Sequence, residues 1–352
     1  MYKKTIAMLF GGCSSEYSIS LQSAYSVLTQ IDRTDYHVIP VGISKKGEWF
    51  AYYGKYENIA DDSWQKDTER KIPAVLSPDR RIRGLIEFYG ERCHVVSLDA
   101  VFPILHGKNG EDGTVQGLCA LAGIPVIGCN LISSALCMDK YRAHKLVQAE
   151  GIAVPDSVRL TRGMSKETVA KAISHLNYPL FIKPVRSGSS FGIRRVSSET
   201  EVPDALENAF FYDYEAVAEE TADGFEVGCA ILGNDDLMVG RADEIELAGD
   251  FFDFTEKYSL KTSKIHMPAR ISSETEARIQ KTAKQIYRIL GCSVFARVDL
   301  FLQKDGSILF NEVNTIPGFT EHSRFPSMLK GIGLSFSEIV AAILRLGMEN
   351  EA

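Results

Sequence analysis

Long apolar runs are missing from this chain. Nothing in its 352 residues comes near the ~20 consecutive apolar positions a spanning helix needs, so no membrane partner is expected. The opening MYKKTIAMLFGG carries two lysines and a short apolar run, but it is too short for a signal peptide, and no small-residue cleavage site follows. It reads as a buried first strand entering a glycine turn. An excess of basic charge is missing too. Lys and Arg number 39 against 46 Asp and Glu, a net charge of −7, which argues against a broad nucleic-acid surface and leaves room only for local basic pockets. Cysteines are few and unpatterned. The seven, at 13, 93, 119, 129, 137, 229 and 292, are odd in number and lack CxxC spacing. Neither a disulfide framework nor a zinc site is expected, and small buried thiols in a reducing cytoplasm explain them. There is no internal repeat and no low-complexity tract.

What is present suits an α/β protein of two or three domains with ample core, since 45% of residues are hydrophobic and 24% charged. KTIAMLF, HVIPVGI and VVSLDAVFPIL read as strands, with a helical ISLQSAYSVLTQI after the first. This is a βαβ pattern feeding a mostly parallel, Rossmann-like sheet over residues 1–128. Residues 53–70 read as an irregular excursion. A helix from Asp139 to Glu150 stops at Gly151. PLFIKPV and IRRVSS form a hairpin, and the acidic EETADG is a connector near residue 220. Three lobes follow: 1–128, 129–220 and 221–352.

The last hairpin has the sharpest signal. VFARVDLFLQK meets SILFNEVN across Asp305-Gly306, a pair that favours a two-residue type I′ turn. Lys304 then pairs with Ser307, Asp299 lies opposite Glu312, and Arg297 lies opposite Asn314. Residues two apart share a strand face, so these four form one polar quartet. Opposed side chains have Cβ atoms roughly 5 Å apart, and like charges there repel. A hard cation, Mg²⁺ or Mn²⁺, fits two carboxylates and a carboxamide. A three-residue loop would shift the register and remove this reasoning.

Two glycine-rich turns add to it. KPVRSGSSFG, residues 183–192, is no P-loop, because the GxxxxGK[ST] spacing is absent and no helix follows. Its backbone N–H groups can still cradle phosphate, with Lys183 as a fixed charge. LHGKNGEDGTVQG, residues 105–117, ends the third predicted parallel strand, and GGCSSE ends the first. Ligands of open α/β sheets bind at that edge, where Glu16, His106 and Glu111 could converge.

The ordered set GGCSSE, HGKNGEDG, MDK, KPVRSGSS, EE-x5-E, KY, RVD, NEVN and PGFTEHS, spanning nearly the whole chain, resembles the D-alanine–D-alanine ligases of the ATP-grasp superfamily. The resemblance implies a three-lobed ATP-grasp ligase, with ATP as cosubstrate and two Mg²⁺ or Mn²⁺. Lys140 and Lys183 would grip ATP phosphates, with Lys257 beside them. Glu219, Glu220 and Ala222 would hold adenine, and Glu226 the ribose. Asp299, Glu312 and Asn314 would hold the metals, and Glu16 the ammonium of the first D-alanine. Glu111, Ser189 and Tyr258 would pin a mobile loop, residues 252–263, over the site, with His106 in the same catalytic set. Arg297 and the Gly318 N–H would form an oxyanion hole, and Ser323 and Lys257 would take the second substrate's carboxylate. A homodimer is implied as well.

Two positions depart from the family pattern. Tyr17-Ser18 follows Glu16 where charge is common, and Glu220 stands where lysine is common, so adenine contacts there would run through backbone. Arg324 bears on the product. Aliphatic residues are usual after this serine in ligases making D-alanyl-D-alanine, whereas HSRFP resembles the vancomycin-resistance ligases. Lys257-Tyr258 points away from D-lactate, and Phe252 is a candidate pocket wall, so D-serine is the expected second substrate. Arg324 could bond the serine hydroxyl, orient a water, hold a carboxylate such as Asp243, or pack its stem and point to solvent. The alternatives to D-alanine–D-serine ligation are an ordinary D-alanine–D-alanine ligase and a non-catalytic ATP-binding sensor.

Overall fold

The computed structural model describes residues 3–246 and 264–349, arranged around three sheets. The first comprises β1 (Lys4–Gly11), β2 (Tyr36–Ile43), β3 (Trp49–Tyr52), β4 (Lys71–Leu76), β5 (Gly84–Tyr89), β6 (Arg92–Ser97) and β7 (Ala100–Pro103), in the order β6-β5-β4-β3-β2-β1-β7. The expected mostly parallel sheet is in fact mixed. β1 runs parallel to β2 and β7, while the pairings from β2 out to β6 are antiparallel. Turns of two to seven residues join β2 to β3, β4 to β5 and β5 to β6, too short for a crossover, and the longer 53–70 segment also brings β4 back antiparallel beside β3. VVSLDAVFPIL is accordingly two strands, not one. The break falls at Leu98-Asp99, where the Asp99 carboxylate accepts the Thr5 N–H at 2.8 Å and anchors the chain under β1.

The 53–70 excursion contains two short helical turns and the fully buried Trp64. It also accounts for one departure from the family pattern. The buried Tyr17 hydroxyl donates to Asp62 at 2.7 Å and accepts from Gln65 at 3.0 Å, so Tyr17 ties the excursion to the first helix, Tyr17–Leu28. Burial and the Asp62 bond push its phenol well above the ordinary range.

The second sheet is fully antiparallel: β8 (Ser157–Thr161), β9 (Leu180–Pro184), β10 (Arg194–Val196) and β11 (Glu215–Glu220), in the order β10-β9-β11-β8. β9 and β10 are the hairpin read from sequence. The third sheet has β12 (Gly224–Leu232), β13 (Met238–Val239), β14 (Asp243–Glu246), β15 (Lys264–His266), β16 (Phe295–Gln303) and β17 (Ile308–Asn314). Its order is β15-β14-β12-β16-β17, with β13 on β12. Helix Ser273–Ile289 starts where the Ser272 hydroxyl accepts the Thr275 N–H, and it buries Ile279, Ala283 and Ile286 in the core beneath this sheet.

One core joins the ends of the chain. Phe295, Phe319, Phe325 and the last helix, Phe336–Glu349, pack with Phe10, Phe102 and Ile127 of the first lobe. All seven cysteines are free; five are buried, and Cys13 and Cys93 are exposed. Among the described residues no helix is long and apolar enough to cross a membrane.

The β16–β17 register holds one surprise. Asp299 opposes Glu312 and Arg297 opposes Asn314, as the sequence suggests, but the turn is not the expected one. Nearest the turn, Leu302 pairs with Ile308, Gln303 N–H donates to Ser307 at 2.9 Å, and Gly306 adopts φ +82. The loop is therefore three residues, 304–306, which alone would shift the register. A β-bulge between Leu300↔Phe310 and Asp299↔Glu312 adds Asn311 and shifts it back. Tertiary contacts hold the bulge. His144 Nε2 donates to the Asn311 carbonyl at 2.7 Å, and Phe310 N–H donates to Ala153 at 2.9 Å.

Candidate active site

Three glycine-rich turns meet at Glu16. It precedes the first helix and is buried. A Cβ on Gly107 would lie 2.5 Å from its Oε2, and one on Gly188 2.9 Å, so a side chain at either place would displace this carboxylate, and Gly107 also holds φ +72, which favours glycine. The Ser189 hydroxyl donates to Glu16 Oε1. Ser189 and Ser190 have φ +48 and +61, an uncommon left-handed pair of the kind retained where function needs it. Glu111 accepts the Gly107 N–H at 2.7 Å and the Ile316 N–H at 3.1 Å, bridging the first lobe to the segment after β17. His106 is buried beside them, its Nδ1 2.8 Å from the Ile316 carbonyl and its Nε2 3.0 Å from Ser23 Oγ.

A cavity of about 220 Å³ opens between the second and third sheets, and Lys140, Lys183, Glu219, Glu220, Ala222, Glu226 and Glu312 line it. Lys140 begins helix Lys140–Ala149, where the Asp139 carboxylate accepts the Arg142 N–H, and it donates to the Ser187 carbonyl at 2.7 Å. Its Nζ lies 3.4 Å from Glu312 Oε2. Lys183, at the end of β9, donates to Glu219 Oε1 at 2.7 Å. Glu219 Oε2 is buried without a hydrogen-bond partner, 3.7 Å from His144 Nδ1. Glu220 turns its carboxylate to Asn177, accepting from its backbone N–H at 2.7 Å, while the N–H of Glu220 itself donates to the Asp156 carbonyl at 2.9 Å, so that backbone donor is already used. His144 was not singled out in the sequence. Burial lowers its pKa, and since a carbonyl can only accept, its Nε2 carries the proton.

The β16–β17 quartet is a connected charge cluster. Arg297 donates to both Asp299 oxygens, at 2.8 and 2.7 Å, and Asn314 Nδ2 donates to Oδ2 at 2.9 Å. Burial works against the Arg297 charge, but Asp299 outweighs it and holds the guanidinium above its usual range, with Arg324 opposing. The opposed Asp299 and Glu312 offer hard oxygen donors, the type Mg²⁺ prefers. Among the described residues no group of three or more His, Cys, Asp or Glu is placed to hold a metal. A cation here would draw its remaining ligands from Asn314 and from phosphate.

Arg324 does not point to solvent. It is buried, and Nε and Nη2 grip Asp243 at 2.7 and 2.8 Å while Nη1 donates to Glu226 at 2.8 Å. Nη2 also lies 3.4 Å from Asp299. Burial alone would lower its pKa, but Asp243 and Asp299 hold it far above the ordinary value. The fully buried Asp243 also takes the Gly228 N–H at 3.0 Å. Ser323 accepts the Thr320 N–H at 3.0 Å, and a Cβ on Gly318 would lie 3.1 Å from its Oγ. Phe252, Lys257 and Tyr258, with the rest of the expected loop, lie outside the described residues.

Sequence reasoning passed over Ser20 and Ser23. Both are fully buried on the first helix, one turn apart. Ser20 donates to the Ile104 carbonyl and accepts the Gly11 N–H at 2.8 Å. The available signal was a pair of serines at i, i+3 on an otherwise apolar helix face.

Family models described as D-ala D-ala ligase N-terminus and C-terminus match residues 5–129 and 146–345. The chain is 42% identical to the Vancomycin B-type resistance protein VanB of Enterococcus faecalis, over 99% of this chain and 100% of that one. It is 40% identical to a D-alanine–D-alanine ligase of Caldicellulosiruptor bescii, over 99% of this chain and 96% of that one. The crystal structure of VanG D-Ala:D-Ser ligase from Enterococcus faecalis superposes with a TM-score of 0.92 at 54% identity, covering 98% of this chain and 100% of that one. This chain therefore belongs to the D-alanine–D-alanine ligase family, as an ATP-dependent ATP-grasp enzyme that joins D-alanine to a second D-substrate.

Proposed function

We propose that the second substrate is D-serine, and that the D-alanyl-D-serine product gives peptidoglycan precursors a terminus that confers vancomycin resistance. The observation that carries this reading is the buried Arg324 network in the expected second-substrate region. Likeness to the VanG D-Ala:D-Ser ligase supports it. A guanidinium has five N–H donors; carboxylates take three of Arg324's and Asp299 lies 3.4 Å from Nη2 as well, so among the described residues the second N–H of Nη1 is the donor left for a substrate hydroxyl or a water bound to it. D-Alanine would leave such a donor facing a methyl group. Sites built to hydrogen-bond a hydroxyl discriminate strongly against the analogue lacking it.

The rest of the chemistry follows from the same residues. D-Alanine's carboxylate is a poor electrophile until one oxygen takes the γ-phosphoryl of ATP. That transfer needs positioning and charge neutralisation more than covalent help, and Lys140 and Lys183 supply both. Mg²⁺ held by Asp299, Glu312 and Asn314 would neutralise further phosphate charge. Glu16 holds the D-alanine ammonium. The free amine of D-serine attacks the acyl phosphate, and the developing oxyanion is met by Arg297 and the Gly318 N–H. Phosphate leaves and the dipeptide remains. Lys257-Tyr258 implies an amine and not a hydroxy acid, so D-lactate turnover at neutral pH should fall well below that of D-serine. Comparable turnover would contradict this.

The test is the ratio of kcat/KM for D-serine over D-alanine as second substrate, in the native enzyme and in Arg324→Leu. A ratio above one that falls in the variant is expected. A native ratio below one, or one unmoved by the substitution, would remove the assignment.

A further inference from the structure

Residues 316–319 carry the Gly318 N–H, and the groups around them form a closed ring. Phe319 N–H donates to Ser23 Oγ at 3.2 Å. Ser23 Oγ lies 3.0 Å from His106 Nε2, and His106 Nδ1 lies 2.8 Å from the Ile316 carbonyl. The proton positions follow from chemistry. A carbonyl only accepts, so Nδ1 carries the proton. In a neutral imidazole Nε2 is then an acceptor, so Ser23 donates to it while accepting from Phe319. Every donor in the ring meets an acceptor. Its members come from the first helix, the loop after β7 and the segment after β17, and the Ser23–Phe319 bond joins positions 296 apart in sequence. The ring closes through Pro317 and Gly318. Glu111 fixes the Ile316 N–H from outside at 3.1 Å.

We propose that Ser23 is a positioning residue for the oxyanion turn: with His106 in its Nδ1–H form, it holds the Gly318 N–H in place for the tetrahedral intermediate. The proposal rests on the ligase reading above. Loss of the Ser23 hydroxyl strands the buried Phe319 N–H and removes the donor to Nε2. The turn then relaxes, and transition-state binding weakens more than ground-state binding.

Ser20 provides the control. It is equally buried, lies one turn away on the same helix, and bonds Ile104 and Gly11 instead of the turn. The experiment measures, by calorimetry, the affinity of native enzyme, Ser23→Ala, Ser23→Cys and Ser20→Ala for a D-alanyl dipeptide analogue with a tetrahedral phosphinate in place of the amide. KM for ATP and for the first D-alanine is measured alongside. In Ser23→Ala, analogue affinity and kcat should fall roughly tenfold, short of the 10²–10³ that outright loss of an oxyanion donor costs, while both KM values stay within about twofold. Ser23→Cys, which keeps a weak donor at similar volume, should recover part of the loss and serves if the alanine variant does not fold. Ser20→Ala should lower thermal stability without changing the ratio of analogue to substrate affinity. Unchanged analogue affinity in both Ser23 variants, or an equal loss in Ser20→Ala, would overturn the proposal. Absence of any dipeptide product from native enzyme would instead overturn the ligase reading beneath it.

Discussion

The cavity between the second and third sheets and the Arg324 cluster both bury charge, but they balance it differently. In the cavity Lys183 meets one oxygen of Glu219 and leaves the other unpartnered, and Lys140 meets a carbonyl with Glu312 at 3.4 Å. The two lysines are the cations a ligand bringing negative charge would meet there, while the carboxylates beside them would need a cation of their own. In the cluster Arg324 is gripped by Asp243 and Glu226, with Asp299 close by. Its charge is spent within the protein, and what remains for a ligand is directional hydrogen bonding. The first arrangement suits a polyphosphate, the second a small neutral hydroxyl. Arg297 and Asp299 sit between the two, since Asp299 faces Glu312 across the strands and also approaches Arg324.

The largest effect should come from the shared carboxylates. Asp299→Asn or Glu312→Gln should cut ligation by roughly 10³-fold or more, as expected when several kcal/mol of metal charge stabilisation are lost, while the fold stays intact by circular dichroism. Full activity in a folded Glu312→Gln variant would show that the cavity does not depend on a cation there.

Next comes stability at the cluster. Arg324→Leu leaves Asp243 buried without its counter-ion, and breaking a buried pair costs about 3–5 kcal/mol. Removing both charges should cost far less, so Arg324→Leu/Asp243→Leu should recover most of the loss in denaturant titrations. Equal stability of single and double variants would mean that the pair is not the source of the strain. The double variant is accordingly the better host for the specificity test.

In the cavity a single cation should matter less. Lys183→Met should raise KM for ATP about 10- to 100-fold, the value of one charge-assisted bond of roughly 1.5–3 kcal/mol. KM for the second substrate should move little. A parallel rise in both would blur the distinction between the two regions.

The smallest effect is a pH slope. Burial holds the His144 pKa below its ordinary value of about 6.5. Between the lowered and ordinary values the unfolded chain binds more protons, so stability rises with pH in that window. The contribution is complete above about pH 6.5 and is lost as pH falls through the folded-state value. Unfolding midpoints at about pH 5.5 and pH 7.5 should therefore differ less in His144→Gln than in the native chain.

Much of this was legible in the residues, though not always for the right reason. The Asp299–Glu312 opposition was expected from a two-residue turn. It arises instead from a three-residue loop offset by the Asn311 bulge. Asp-Gly suits either loop, and the bulge depends on His144 and Ala153, so no local signal could reveal it. The mixed first sheet was missed because short apolar runs look alike whether a hairpin or a crossover joins them. The three motifs around Glu16 were visible as glycine-rich turns, and their meeting follows from the close approach that glycine permits. The Ser23–His106 ring was invisible, since it depends on contacts spanning most of the chain. Arg324 stood out by residue type, but its carboxylate partners, apart from Asp243, became apparent only in the fold.

The most direct test is competition. Native enzyme is given ATP, Mg²⁺, and equal concentrations of D-alanine and D-serine near neutral pH, and the dipeptides formed are counted by mass spectrometry. D-Alanyl-D-serine should predominate, with D-alanyl-D-alanine as a minor product. A pool dominated by D-alanyl-D-alanine would contradict D-serine selection by the Arg324 cluster.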